Sequence, residues 1–126
     1  MARQSEVVSD PESVVEVLGD SYSLSILSAL ARSAMNVREM SESLDVPIAT
    51  AYRRVEDLER VGLIEEDGER PNDDGRNVSV YRSRVDEIQV SFADGVPHVE
   101  METRSEATRS IDRAWQRIRD GRGGRR

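Results

Sequence analysis

The strongest constraint on the fold is a short break, Asp45-Val46-Pro47, between two amphipathic segments. Before the break, residues 37–44 place Val37, Met40 and Leu44 at helical spacing, which predicts a short helix. Asn36 lies three residues before Glu39, the spacing of a capping box, and marks the start of that helix. After the break, proline starts a longer helix, which Gly62 ends. Since about three residues separate these two helices, they are predicted to pack at a steep angle.

The longer helix divides into a buried face and a projecting half. Its predicted buried residues recur at spacings of three, four and three: Ile48, Ala51, Val55 and Leu58. The remaining residues near its start fall on other sides of the helix: Pro47, Ala49, Thr50, Arg53 and Arg54. The projecting N-terminal half of such a helix has the width that a DNA major groove admits.

Two helices are predicted before this pair, and β-hairpins after it. Asp10-Pro11 is a helix-start signal, a second helix begins near Asp20 or Ser21, and the first few residues are predicted to be frayed. Residues 63–66 and 78–82 read as strands around a polar, turn-forming tip, and residues 85–92 pair back with 96–102. In this second hairpin Ile88, Val90 and Phe92 are predicted on one face, with Val99 and Met101 facing inward.

Together these elements predict an α+β, mainly α fold: a winged helix-turn-helix with an extra β-hairpin and a C-terminal dimerisation helix. The predicted units are 10–84 for the winged helix, 85–103 for the extra hairpin, 104–120 for the last helix and 121–126 for a disordered Arg/Gly tail. Within the first unit, the recognition helix is predicted at about 47–61 and the wing at about 63–82.

Residues 40–70, MSESLDVPIATAYRRVEDLERVGLIEEDGER, resemble winged-helix transcriptional regulators of the ArsR and PadR type, particularly archaeal ones. The residues that match the pattern are Leu44, Val46, Thr50, Tyr52, Arg53, Leu58, Gly62, Leu63 and Ile64. The resemblance covers about residues 12–84 and implies binding to double-stranded DNA. Pro47 stands where the pattern often has serine, which removes a hydroxyl contact to phosphate. The metal-sensing branch uses cysteine ligands, and the chain has none, so metal sensing is not implied.

On the recognition helix, Arg53 is the first candidate for reading a base, because its guanidinium fork matches guanine O6 and N7. Ala49 and Thr50 could touch a thymine methyl group, while Tyr52 and Arg54 are expected to contact phosphate. The alternative for both arginines is a solvated face on which they pair with Glu56, Asp57 or Glu59. The full set of predicted DNA contacts is Arg38, Ser41, Pro47, Ala49, Thr50, Tyr52, Arg53, Arg54, Arg70, Arg76 and Asn77.

Outside the recognition helix, Arg38 and Ser41 could hold the flanking strand of the duplex. Arg70, Arg76 and Asn77 at the wing tip are placed to enter a minor groove or grip phosphate. The alternative is an ordinary exposed turn, which the five acids between Glu66 and Asp74 favour.

The charge balance is unusual for a DNA-binding chain. The chain has 25 acids, 18 bases and a net charge of −7, and every base is arginine. Acid-rich, lysine-free chains resemble the cytosolic proteins of extreme halophiles, although a GC-rich genome also replaces lysine by arginine. Because the recognition segment itself is acidic, K⁺ or other cations between carboxylates and phosphates are a possible further partner. No signal sequence or membrane-spanning run of residues is present, which predicts a cytoplasmic protein with no membrane contact.

The chain lacks the residues that most catalytic and metal sites need. It has no cysteine and a single histidine, His98, and no glycine loop that would cradle a phosphate. The sequence therefore predicts no enzyme, no cofactor and no metal site.

The last predicted helix has two interpretations: it closes the monomer core, or it pairs with its copy in a second subunit. Short recognition motifs usually act in pairs on symmetric half-sites, which favours the dimer. The predicted interface residues are Val14, Leu18, Ile111, Ala114, Trp115 and Ile118. The sequence thus predicts a homodimeric transcriptional regulator that binds a pseudo-palindromic promoter site. The alternatives are a winged helix used for protein–protein contact and a nonspecific, chromatin-like coating protein.

Overall fold

The computed structural model describes residues 3–104, in which four helices lie between one N-terminal strand and four later strands. Their bounds are β1 (Arg3–Val7), α1 (Pro11–Leu18), α2 (Ser21–Arg32), α3 (Val37–Leu44), α4 (Ile48–Arg60), β2 (Ile64–Pro71), β3 (Asn77–Ser83), β4 (Val85–Ser91) and β5 (His98–Arg104). The predicted α+β fold with four helices before the hairpins is confirmed. The predicted C-terminal helix (104–120) and tail (121–126) lie outside the described residues, apart from Arg104 in β5.

The four helices pack around one apolar core. Ile26 and Leu30 of α2, Met40 of α3 and Leu58 of α4 are each fully buried. These residues recur at helical spacing in their own segments, so each helix turns one apolar stripe toward the same centre. The core continues into the second half of the chain through Ile64 of β2 and its neighbours.

Three of the helices begin at a side-chain cap. Asp10 accepts a hydrogen bond from the Ser13 amide, and Asp20 accepts one from the Ser23 amide. Asn36 and Glu39 form the predicted capping box at the start of α3. The helix starts predicted from these residues are confirmed.

The connection between α3 and α4 is braced by its own polar groups. Asp45 adopts a left-handed conformation with φ 57°, which reverses the chain direction at the end of α3. The Ser41 hydroxyl donates to the Val46 carbonyl at 2.5 Å, and the Val46 side chain is buried. The turn therefore fixes where α4 starts relative to α3.

The β2–β3 hairpin is longer than the sequence predicted. The sequence placed the start of the turn near Asp67, but β2 continues to Pro71. The register shifts between Glu66 and Glu69, and Gly68 has φ 80°, so a glycine bulge lets the strand continue past the predicted turn. The turn itself is held by Asn72, whose side-chain oxygen accepts from the amides of Asp74 and Arg76.

One further contact attaches this hairpin to the helices, and a second one joins its two strands. Met35 and Tyr81 exchange both backbone hydrogen bonds, at 3.0 and 2.9 Å, between the α2–α3 connection and β3. Arg82 of β3 is 1% exposed, and the Asp67 carboxylate lies 3.8 Å from its Nη1. This pair joins β3 to β2 within the hairpin, and the apolar periodicity of the sequence does not predict a buried arginine there.

The remaining strands form a three-stranded antiparallel sheet in the order β1-β5-β4. The second hairpin was predicted correctly, and Val99 and Met101 face the core. One prediction about this sheet was wrong: the N-terminal residues predicted to be frayed form β1, which pairs with β5 along its whole length. Val90 and Phe92, predicted to share one face of the hairpin, are both exposed.

Arg84 joins this sheet to the helical half. Its guanidinium donates to the Gly62 carbonyl and to the Glu6 carboxylate, each at 2.6 Å. One side chain therefore connects β1 to the loop that follows α4.

Within residues 3–104 no single helix is long and apolar enough to cross a membrane. Helices α1 and α2 have the necessary length and apolarity only when they are counted as one segment, and a 93° bend separates them.

Candidate nucleic-acid interface

Helix α4 presents one continuous face to solvent. Ala51, Val55 and Leu58 are buried against the other helices. Ala49, Arg53, Glu56 and Arg60 are all exposed, and their spacing of four, three and four residues places them together on the opposite side. These four residues are called the outward face of α4 below.

Arg53 lies at the centre of the outward face. Its side chain is exposed, and within residues 3–104 it makes no hydrogen bond or ion pair. The alternative in which Arg53 pairs with a nearby helix acid is therefore not what the structure shows. None of residues 3–104 competes with a binding partner for this guanidinium.

Arg54, one residue later, is engaged inside the protein. Its Nε donates to Oδ2 of Asp20 at 2.8 Å, and its Nη2 lies 3.3 Å from Oδ1. This pair lowers the pKa of the Asp20 carboxyl, chiefly through the hydrogen bond from Arg54, and the same bond raises the pKa of Arg54. Arg54 thus ties α4 to the N-terminus of α2, and the phosphate contact predicted for it would compete with Asp20.

The first turn of α4 differs from those of the other helices. Pro47 occupies the cap position, and no side chain caps the turn. The first amide groups of a helix have no intrahelical acceptor, so an uncapped N-terminus offers donors and a positive dipole end to an anion. Pro47 and Ala49 are exposed and Thr50 is half-buried, so these predicted contact residues lie around the open turn.

Ile48 was predicted to pack and is instead 45% exposed. It is the first residue of α4, and the core position at this end of the helix is taken by Val46, which is 3% exposed. Periodicity alone could not reveal this, since Ile48 has the same spacing as the buried residues. An exposed aliphatic side chain beside the open turn is suited to a thymine methyl group.

The side of α4 that faces the β2–β3 hairpin is acidic. Tyr52 is 57% exposed and lies near Tyr81 of β3. Burial raises the pKa of Tyr81, and the carboxylates of Glu59 and Glu66 raise it further. A phosphate contact by Tyr52 would therefore be made beside negative charge.

The N-terminus of α3 and the hairpin tip form a cleft of about 400 Å³. The residues that line it are Asn36, Arg38, Glu39, Glu42, Pro71, Asn72, Asp73 and Asp74. Arg38, predicted to contact DNA, is exposed here, whereas the Ser41 hydroxyl is already used in the α3–α4 turn. The cleft has more carboxylates than cations.

The three predicted contacts of the hairpin separate into two kinds. Arg70 Nη2 donates to the Ala34 carbonyl at 2.9 Å, which fastens the hairpin to the α2–α3 connection. Arg76 and Asn77 are exposed at the turn. Arg76 and Asn77 are thus placed to reach outward, while Arg70 has a structural contact of its own.

Only two of the residues predicted for a dimer interface, Val14 and Leu18, belong to the described part of the chain. Val14 is 1% exposed in the core, so its side chain has no surface to offer, and Leu18 is half-buried. Ile111, Ala114, Trp115 and Ile118 lie outside the described residues. Across residues 3–104 there is no group of three or more His, Asp or Glu side chains able to hold a metal ion.

Comparison with known families agrees with this geometry. Residues 18–67 match the model of a helix-turn-helix domain, a stretch that runs from the end of α1 through α4 into β2. No curated protein matches the chain. The family match supports a DNA-binding regulator with a helix-turn-helix domain.

Proposed function

We propose that this chain is a sequence-specific transcriptional regulator of the winged-helix type, similar to ArsR and PadR regulators, which binds double-stranded DNA through α4. The observation that carries the proposal is Arg53: an exposed guanidinium without an internal partner among the described residues, at the centre of the outward face of α4. A braced turn and the Asp20–Arg54 pair hold the helix that presents it.

In this proposal α4 enters the major groove with its open first turn toward a phosphate. Arg53 donates to guanine O6 and N7, and Ala49 and Ile48 lie against thymine methyl groups. The uncapped amides of the first turn contact the backbone, which sets the register of the helix without reading sequence. Arg54 holds α4 in position from inside the protein.

The β2–β3 hairpin acts as the wing. Arg76 and Asn77 are exposed at its turn and reach the phosphates or minor groove beside the site of α4. Arg70 and the Met35–Tyr81 backbone pair fasten the hairpin, so its tip has a defined position.

We further propose that the regulator works as a homodimer on a pseudo-palindromic promoter site. The support is the half-buried Leu18 and, in the sequence that follows the described part of the chain, a spacing of apolar residues that predicts an amphipathic helix: Ala107, Ile111, Ala114, Trp115 and Ile118. Two copies of a short motif on symmetric half-sites bind more tightly and more specifically than one.

The acidic charge of the site requires short-range recognition. DNA binding that rests on basic charge weakens steeply with salt. Here the chain has a net charge of −7, and no lysine is present, as in halophilic proteins. We propose that cations such as K⁺ lie between carboxylates and phosphates, so affinity falls only weakly between low and molar KCl. A steep loss of affinity over that range would contradict cation bridging.

A mobility-shift titration with genomic fragments tests the main proposal. Arg53→Ala is expected to lower affinity for a selected fragment by about 5- to 150-fold, the discrimination that one guanine contact supplies. Arg32→Ala is the matched control, because Arg32 is an exposed arginine at the end of α2, away from the outward face. Equal binding by both variants would contradict the role of Arg53.

A second candidate function is a winged helix that binds another protein of the transcription machinery. The acids beside the site favour it, since Glu56, Asp73 and Asp74 are all exposed where DNA would approach. The absence of any shift at any salt concentration would favour this candidate.

A further inference from the structure

We propose that Glu56 is a specificity-determining residue that accepts a hydrogen bond from a cytosine amino group in the major groove. This inference rests on the proposed function, because it concerns how the outward face of α4 reads a duplex. It adds a requirement for cytosine that Arg53 alone does not impose.

Among the described residues, Glu56 is the acid of α4 that lies on the outward face. Asp57 accepts from Arg60 at 2.8 Å, and Glu59 lies near Tyr81 on the hairpin side of the helix. Glu56 is exposed on the outward face and has no hydrogen bond or ion pair among residues 3–104. Because Glu56 and Arg53 lie on the same face of α4, a duplex bound at that face would contact both residues.

Arg53 and Glu56 carry opposite charges one helical turn apart, yet they do not pair with each other. Such a spacing permits an ion pair on a helix surface. In the described structure both groups remain unengaged, so binding a duplex does not require a salt bridge between them to break first. Each side chain is available for its own contact.

The chemistry of the two groups selects different bases. Guanine presents acceptors in the major groove, which suit a guanidinium. A carboxylate can only accept, and cytosine N4 is a donor without a neighbouring acceptor. Adenine also presents a donor, but its N7 acceptor would repel a carboxylate. Glu56 is thus matched to cytosine.

The distance between the two residues predicts the distance between the two bases. Three residues along a helix correspond to a rise of about 4.5 Å, compared with about 3.4 Å between base steps. The cytosine contacted by Glu56 is therefore one or two base steps from the guanine contacted by Arg53. A wrong base at that position leaves a carboxylate against acceptors or phosphate, which adds discrimination by repulsion.

Selection from a randomised duplex pool, with the full chain and variants run in parallel, tests the inference. The wild type is expected to enrich cytosine one or two steps from an enriched guanine. Glu56→Ala should weaken the cytosine preference about tenfold, the scale of one good base contact. Glu56→Gln should move the preference toward adenine, because a glutamine amide matches adenine N6 and N7.

Glu16→Gln is the matched control, since Glu16 is an exposed acid on α1 and its replacement makes the same change in net charge. It should select the wild-type sequences. If Glu56→Ala selects the wild-type sequences and only binds all duplexes more tightly, Glu56 merely repels phosphate and the inference is overturned. An unchanged cytosine preference in Glu56→Gln overturns it as well. If the wild type enriches no sequence at all, the proposed function itself fails, which is a distinct result.

Discussion

The two helices on either side of the central turn use their polar groups in opposite ways. In α3 the capping box closes the first turn, with both Asn36–Glu39 hydrogen bonds at 2.8 Å, and Ser41 donates to the Val46 carbonyl. In α4 the first turn has no side-chain cap, and Arg53 has no partner among the described residues.

This contrast separates anchoring from recognition. The polar groups at both ends of α3 satisfy the protein's own backbone, which stabilises the turn and leaves little for a ligand. The N-terminal half of α4 keeps its donors exposed, a cost to helix stability that a bound anion would offset. Substitutions of the buried and capping residues of α3 should therefore change stability, and substitutions on the outward face of α4 should change binding.

The largest expected effect is on the anchoring side, at Met40 of α3. Met40 is fully buried, so Met40→Ala removes core contacts and is expected to lower the free energy of unfolding by about 2–5 kcal/mol. Urea denaturation followed by circular dichroism measures the change. Arg38→Ala, at an exposed position of the same helix, should stay within about 0.5 kcal/mol of the wild type. A loss below 1 kcal/mol for Met40→Ala would show that α3 is not an anchor.

On the recognition side, Arg53→Ala should show the reverse pattern. The free energy of unfolding is expected to change by less than about 0.5 kcal/mol, because the side chain is exposed. Affinity for a selected duplex should weaken by about 1–3 kcal/mol. Unfolding curves and binding titrations on one protein sample give both values. A variant that loses stability but keeps its affinity would remove the distinction between α3 and α4.

The sequence predicted those parts of the molecule that depend on local signals. Caps at Asp10, Asp20 and Asn36, the turn before Pro47 and the apolar stripe of α4 are all encoded within a few residues of one another. Periodicity therefore located four helices and placed Ala49 and Arg53 away from the buried face of α4.

The features that the sequence did not predict depend on residues far away in the chain. The strand β1 has a polar sequence and forms because β5, at the other end of the described chain, supplies its hydrogen-bond partners. Two ion pairs are likewise tertiary contacts that local sequence signals do not encode: Arg82 with Asp67, and Arg54 with Asp20. The sequence alone does not show whether an arginine is free to bind a ligand, because its acidic partner can be distant in the chain.

A smaller effect is expected from removing the α3 cap. Asn36→Ala deletes one half of the capping box and should lower the free energy of unfolding by about 1 kcal/mol. Asn36→Asp keeps an acceptor at the same position and is the matched control. Affinity of the folded protein for DNA should be unchanged in both. A selective loss of affinity in Asn36→Ala would mean that α3 also takes part in recognition.

The smallest expected effect concerns Asp20, which forms an ion pair with Arg54 of α4. Asn is as good a cap as Asp, so Asp20→Asn keeps the α2 cap and removes only the charge that faces Arg54. Both side chains are partly exposed, at 33% and 25%, so the loss should be below about 1 kcal/mol at neutral pH.

Its pH dependence follows from the direction of the pKa shift. The Arg54 hydrogen bond lowers the pKa of Asp20 in the folded protein. Stability from the ionised carboxylate is therefore complete above the unfolded pKa of about 3.9, and is lost as the pH falls through the lower folded value. Urea unfolding at pH 7, 5 and 3 should show a constant difference between wild type and Asp20→Asn at the two higher values and a smaller one at pH 3. A difference that does not shrink at pH 3 would show that folding does not lower the pKa of Asp20, against the Arg54 hydrogen bond.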